Sequence, residues 1–253
     1  MCLAAFSLRA SAEYPLMFAA NRDEAHERPT APAGWWDDHD SILGGRDLQA
    51  GGSWLAVDRR GRLAAVTNVR DDRDTIYPRS RGHLVQDYLT GSLSADDYLA
   101  AVRTHETDYG PYNLVIFDGR RLHYASNRAP GKELGAGIYA LSNTLLGSTW
   151  PKVRHAQATL SACLDDGDPN AYLFDLLTDE TRHDDLPTTA DRATRLMSTV
   201  FIKDDRYGTR SSTVILLSQH GELCFTERRF GANGVPLGQS SEQFKLAGSA
   251  ASD

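Results

Sequence analysis

The chain of 253 residues is 41% hydrophobic and 24% charged, a balance that supports a sizeable core and excludes a disordered, collagen-like or coiled-coil protein. Its formal net charge is −7 and its basic residues are scattered, so nothing resembles a phosphate-backbone footprint and no nucleic-acid partner is expected. No window reaches the roughly 20 apolar residues of a membrane span, and the N-terminus lacks a basic region ahead of its apolar stretch, which predicts a cytoplasmic protein with no membrane span.

Apolar runs from Cys2 to Leu8 and from Leu16 to Ala20 flank the polar Ser11 to Tyr14, predicting a β-hairpin whose first strand begins at the N-terminus. Ala25 to Gly52 mixes Pro, Gly, Asp and Trp without a clean period and reads as a long loop, of a length that is usually functional in compact domains. Ser53–Val57 and Leu63–Thr67 form a second hairpin across the Arg60-Gly61 turn. Leu84, Tyr88 and Leu89 mark a short helix, and Ser94 with Asp97 starts another whose apolar face is Tyr98, Leu99 and Val102. Asn113–Phe117, Leu122–Ser126 and Ile138–Ser142 read as strands, the first two joined at Asp118-Gly119. Pro151 opens a helix to about Leu164 and Asp168-Pro169 opens one through Leu177. Thr199–Ile202, Ser212–Leu217 and Leu223–Arg229 return to strand character. Strands and helices in these blocks predict an α+β layered domain of mainly antiparallel sheets. One domain is expected over residues 1–237, with 238–253, rich in Ser, Gly and Ala, as a fraying tail.

Three widely spaced cysteines, Cys2, Cys163 and Cys224, are too few for a disulfide framework or a zinc ribbon, and no metal site is expected. Cys2 has a different interest. Methionine aminopeptidases remove Met1 ahead of a small second residue, which would leave thiol and α-amino group on one terminal residue. A free α-amino group titrates near 7.7–8.0 and can take the thiol proton, giving nucleophile and base in one residue. The plainer alternative is a small buried residue in an edge strand. Asn21-Arg22-Asp23-Glu24 ends the second strand, which in a hairpin returns beside the start of the first and so surrounds Cys2. An Arg there would lower the thiol pKa and an Asp would orient the amine; otherwise this is a charged turn.

MCL at 1 to 3, NRDE at 21 to 24, GGSWLAV at 51 to 57, TN at 67 to 68, SRG at 80 to 82, YNL at 112 to 114, LSN at 141 to 143, WPK at 150 to 152 and TRSST at 209 to 213 together resemble the NRDE family, also called the transport and Golgi organisation protein two family. The resemblance spans about residues 2 to 230. It implies an N-terminal-nucleophile hydrolase-like fold, a four-layer αββα sandwich of antiparallel sheets between helices, distantly similar to conjugated bile acid hydrolases and penicillin V acylases. It places Cys2, Arg22, Asp23, Asn143 and Arg210 as the catalytic set. Adjacent Arg22 and Asp23 depart from the separated Arg and Asp of the acylases.

The reaction so implied is acyl transfer: Cys2 attacks an amide or related carbonyl, Asn143 steadies the oxyanion by its side chain or a neighbouring backbone N–H, Asp23 holds the amine, and Arg22 and Arg210 set the potential or bind a substrate carboxylate. Asn21, Asn68, Trp54 and Trp150 are the expected substrate-binding residues, Asn68 as a second oxyanion donor or an ordinary strand-end Asn. This reading takes a small-molecule substrate and needs no cofactor. The alternative is a carrier of haem or an acyl-lipid ligand, with Trp35, Trp36, Trp54 and Trp150 as pocket walls and His26, His83 or His155 as axial ligand. Gly135 to Ala140 imitates a dinucleotide fingerprint but leads into a strand, and Gly131-Lys132 lacks the rest of a P-loop. The acidic clusters at 37–40, 71–74 and 183–185 lack calcium-loop spacing and read as solvated loops.

Overall fold

The computed structural model describes residues 2–70, 75–164, 167–181 and 198–247. Its strands are β1 (Cys2–Leu8), β2 (Leu16–Ala25), β3 (Thr30–Trp36), β4 (His39–Asp47), β5 (Leu55–Asp58), β6 (Leu63–Asn68), β7 (Tyr112–Phe117), β8 (Leu122–Ser126), β9 (Lys132–Leu134), β10 (Gly137–Leu141), β11 (Tyr207–Leu217), β12 (Glu222–Phe230) and β13 (Pro236–Lys245). The α-helices are α1 (Gly82–Thr90), α2 (Ala95–Thr104), α3 (Pro151–Ala162) and α4 (Pro169–Leu177). The strands form a six-stranded sheet in the order β10-β1-β2-β11-β12-β13 and a seven-stranded sheet running β3 to β9 in sequence order. Every pairing within them is antiparallel.

Three apolar clusters define the layers. Phe6, Phe18, Leu43, Val57, Val115 and Ile215 fill the space between the sheets. Leu3, Met17, Val153, Leu160 and Phe174 join the first sheet to α3 and α4, while Ile42, Leu84, Tyr88, Tyr98 and Leu114 join the second to α1 and α2. The result is a four-layer αββα sandwich. Both faces of each sheet are covered, so its central strands read as continuous apolar runs. In β1 and β2 the even-numbered residues Ala4, Phe6, Leu16 and Phe18 face the other sheet and the odd-numbered Leu3, Ala5, Met17 and Ala19 face the helices. Extending this period of two puts Cys2 and Arg22 on the inter-sheet face and Asn21 and Asp23 on the helix face.

Three expectations need correction. Ala25 to Gly52 contains β3 and β4; register shifts between Ala31 and Gly34 and between Trp35 and Trp36 break the period that would have shown them, and Pro32 sits on the sheet edge where a missing N–H is harmless. Gly44 and Gly45 belong to the strand because a Cβ at Gly44 would press on Ala56 and one at Gly45 would overlap the Trp54 ring. Residues 238–245 are not a tail but most of β13, an edge strand of polar residues bonded to β12 and anchored by Phe244 edge-on to Trp35 at 5.1 Å. Thr199–Ile202 is buried but irregular, and the three-residue β9 carries too short a pattern to read. Acidic residues 71–74 and 183–185 lie outside the described residues, and Gly135 to Ala140 leads into β10 as expected.

The helix cappings follow sequence chemistry: Ser94 accepts from the Asp97 N–H at 3.1 Å, and Asp168 accepts from the Ala171 N–H at 3.0 Å. No helix among the described residues is long and apolar enough to cross a membrane. The C-terminal end of α1 is closed by a side chain from the sheet. Arg62, buried, donates to the carbonyls of Leu89 at 2.6 Å, Tyr88 at 3.1 Å and Gly91 at 3.2 Å and pairs with buried Asp58 at 2.8 Å. Arg62→Met strands three carbonyls and removes the closer of the two arginines paired with Asp58, leaving Arg60 at 3.0 Å, and urea unfolding should show a loss of about 3 kcal/mol. A loss below about 1 kcal/mol would show that Arg62 does not fasten α1.

Candidate active site around Cys2

The site starts from a register. Cys2 is opposite Arg22 on β2, and Arg22 is opposite Ser211 on β11, so the N-terminal residue of the chain's first strand lies beside the NRDE segment at one end of the first sheet. Residues after β10 clamp it from the other side. The Cys2 N–H donates to Asn143 Oδ1 at 3.0 Å, Asn143 Nδ2 donates to the Asn68 carbonyl at 3.0 Å, and Ser142 Oγ donates to the Cys2 carbonyl at 2.9 Å. This clamp rests on a buried polar network: Asn113 Nδ2 donates to Thr67 Oγ1 at 3.1 Å and to the Thr144 carbonyl at 3.0 Å, while Tyr124 Oη donates to Asn113 Oδ1 at 2.7 Å. The TN, YNL and LSN motifs therefore meet in three dimensions as one support.

Arg22 is placed by stacking. Its guanidinium lies 4.3 Å over the Trp54 ring, whose six-membered part lies against Gly45, and its Nη1 donates to Thr30 Oγ1 at 3.1 Å. Asp47 and Glu24 stand 3.9 and 4.0 Å from it, with Asp47 bound more closely by Arg28 at 2.8 Å. Burial lowers the Arg22 pKa, opposed by Glu24 and Cys2. Burial raises the Cys2 thiol, and Asp23 adds to that effect while Arg22 works against it. Asp23 Oδ1 accepts from Thr209 Oγ1 at 2.7 Å. Burial pushes its carboxyl up, against the pull of Lys152, Thr209 and Arg22.

Lys152 is the functional candidate that sequence reasoning passed over. It enters on the first turn of α3, is 1% exposed, and its Nζ has no hydrogen-bond partner among the described residues. The Trp150 ring lies 5.6 Å away, and Asp23 and Cys2 are the charges that oppose the depression of its pKa by burial. The signal was the WPK motif, since a lysine at a buried helix start is costly unless something answers its charge.

A cavity of about 540 Å³ opens over Cys2, in the range of small-molecule sites. Of the residues expected from sequence, Cys2, Arg22, Asp23, Trp54, Asn68 and Asn143 line it. The Asn68 side chain, at the exposed end of β6, has no partner among the described residues. The Asn143 side chain grips the Cys2 nitrogen instead of standing free as an oxyanion donor.

Three expected site residues lie elsewhere. Asn21 is buried on the helix face, donating to the Leu177 and Val200 carbonyls at 2.8 and 2.9 Å and accepting from Ser212 at 2.6 Å, so its polar atoms fasten α4 and the segment before β11. Arg210 donates to the Ala25 and Arg28 carbonyls at 2.7 and 3.1 Å and braces the turn into β3. Trp150 sits over Lys152, Trp35 packs on Phe244, and Trp36 stacks under Arg46 at 4.1 Å, so Trp54 is the only tryptophan in the lining. The three candidate histidines are also outside it: His83 bonds the Ala50 carbonyl at 3.1 Å, His155 pairs with Asp179 at 2.7 Å, and His26 packs beside Gly208. No group of three His, Cys, Asp or Glu among the described residues is arranged to hold a metal.

Because burial lowers the Lys152 pKa, the unfolded chain holds more protons than the folded one between that lowered value and the ordinary 10.5. The contribution of Lys152 to stability therefore rises with pH across that window, at up to about 1.4 kcal/mol per pH unit. Relative to Lys152→Met, the wild-type chain should gain stability between pH 7 and pH 10 in denaturant unfolding. A difference that stays flat would show that Lys152 is not buried as a depressed amine.

A sequence profile described as Transport and Golgi organisation 2 matches residues 1–232. The mouse Transport and Golgi organization 2 homolog is 32% identical over 238 residues, covering 85% of this chain and 86% of its own, and the Drosophila melanogaster Transport and Golgi organization protein 2 is 29% identical over 248 residues, with the same coverage. Among solved structures, a conjugated bile acid hydrolase from Clostridium perfringens aligns over 97% of this chain and 92% of its own at a TM-score of 0.48 and 8% identity. A Caenorhabditis elegans ortholog of the N-acylethanolamine-hydrolyzing acid amidase aligns over 85% and 92% at a TM-score of 0.42 and 10% identity. With the profile covering nearly the whole described chain, this protein belongs to the Transport and Golgi organisation 2 family.

Proposed function

We propose that this protein is an N-terminal-nucleophile hydrolase of a small-molecule amide or related acyl bond, with Cys2 as nucleophile once Met1 is removed. The observation that carries the reading is the grip of Asn143 Oδ1 on the Cys2 nitrogen at 3.0 Å, on a residue that also lines the cavity. In the processed chain that nitrogen is an amine. Held by Asn143 and drawn toward Asp23, it accepts the thiol proton, and the thiolate attacks the substrate carbonyl. In this reading the Asn68 side chain, which lines the cavity, donates to the oxyanion. The ammonium returns its proton to the leaving group as the acyl-sulfur bond forms and the substrate bond breaks. Water, activated by the same amine, then splits the thioester into acid and free thiol. Arg22, across the strand pair from Cys2, favours the thiolate.

A carrier that binds without cutting would use the same cavity. The placement of His26, His83 and His155 outside it favours the hydrolase over a haem carrier. The test is a panel of N-acyl arylamides and acyl thioesters offered to protein whose Met1 removal has been verified. Turnover with an initial burst is expected, and Cys2→Ala should lower it by roughly 10³-fold or more with the circular dichroism spectrum unchanged. Undiminished turnover in Cys2→Ala would sink the mechanism.

A further inference from the structure

The cavity over Cys2 carries more positive charge than the protein around it. Arg22, Arg28, Arg70, Arg79 and Arg81 are in its wall against the carboxylates Asp23, Glu24 and Asp47, in a chain whose formal net charge is −7. Most of these guanidinium groups are already answered. Arg28 binds Asp47 through Nε and Nη2, each at 2.8 Å, Arg79 pairs with Asp87 at 2.8 Å, and Arg22 bonds Thr30 and stacks on Trp54.

Arg81 is different. It is half-buried, and among the described residues the one hydrogen bond from its guanidinium runs from Nη1 to the Pro111 carbonyl at a long 3.3 Å. No carboxylate of the described residues pairs with it. A guanidinium has five N–H donors in a planar fork suited to carboxylate or phosphate, and partial removal from water makes unused donors costly. Burial lowers its pKa, and Cys2 and Glu24 are the first groups acting the other way, which agrees with its place in the cavity that holds the nucleophile.

The backbone that carries Arg81 is fixed in advance. Arg81 precedes α1, and the next residue, Gly82, packs against Gly52 so closely that a Cβ on Gly52 would overlap the Gly82 carbonyl. Gly52 has φ +75°, and the Ser53 N–H donates to the Gly82 carbonyl at 3.1 Å. The GGSW and SRG motifs thus dock as a backbone-to-backbone joint that aims one arginine at the cavity. A desolvated cation on a rigid mount, with donors unspent beside a nucleophile, has the chemistry of an anion subsite.

We propose that the Cys2 cavity takes acyl compounds bearing a carboxylate or phosphate, and that Arg81 binds this anionic group. The proposal rests on the reading of Cys2 as the reactive residue, but its test measures anion binding without turnover. Carboxamidomethylation of Cys2 by iodoacetamide is followed by peptide mass spectrometry in the presence of glutarate, of phenyl phosphate, or of neutral glutaramide. Glutarate or phenyl phosphate should slow the reaction at concentrations where glutaramide does not, and the anion effective at the lower concentration identifies the class. Arg81→Gln should raise the half-protecting concentration about 10- to 100-fold, the worth of a charge-assisted bond, and Arg81→Lys should restore part of it. Equal protection by glutaramide, no protection by either anion, or an unchanged half-protecting concentration in Arg81→Gln overturns the proposal. If Arg81→Gln unfolds, equal protection of Arg81→Lys and wild type by anion and neutral analogue alike overturns it in the same way. Anion protection without turnover of any substrate would remove the hydrolase and leave the anion site standing.

Discussion

Everything at the site depends on β1 being paired on both sides. A strand bonded to β2 along one edge and to β10 along the other cannot shift register without turning its whole apolar set to the wrong face. Leu3 and Ala5 belong to the helix-side core and Ala4 and Phe6 to the inter-sheet core, so both layers hold that register. The first residue of the strand inherits the precision of the core behind it. Cys2 is fixed as if it were interior, yet it lies where the sheet ends and the cavity begins.

Most of the family's motif residues build this mount and do not touch the cavity. Asn113, Thr67 and Tyr124 support the loop that carries Asn143, and Asn21 and Ser212 tie the hairpin to the helix layer. Gly45 lets Trp54 lie flat, and Trp54 in turn holds Arg22 level with Cys2. Such buried polar networks are costly when half satisfied. That fits a segment whose end must be placed to a fraction of an ångström.

Much of this was legible in the sequence because the relevant signals are local. The hairpin of Cys2–Leu8 and Leu16–Ala20, the caps at Ser94 and Asp168 and the proline-started α3 follow from short-range patterns, and hairpin geometry alone brings Arg22 and Asp23 back to Cys2. The misses are long-range. β3 and β4 are hidden by bulges and by glycines whose reason is Ala56 and Trp54, more than eight residues away. β13 is polar because it is an edge, and only its bonds to β12 make it a strand. Asn21 and Arg210 carry the right chemistry but spend it on carbonyls of other elements, while Lys152 gains its interest solely from the burial that tertiary packing imposes.

The proposed chemistry requires that Cys2 become the terminal residue and that its nitrogen, held by Asn143, become an amine. The most direct measurement is the intact mass of the protein purified from its native host, together with condensation of its N-terminus with 2-cyanobenzothiazole, which reacts selectively with a terminal 1,2-aminothiol. A mass short by one methionine residue and a single condensation product at Cys2 are the expected result. Full retention of Met1 with no condensation would contradict it, because the proposed base would then be a peptide nitrogen with no lone pair to offer.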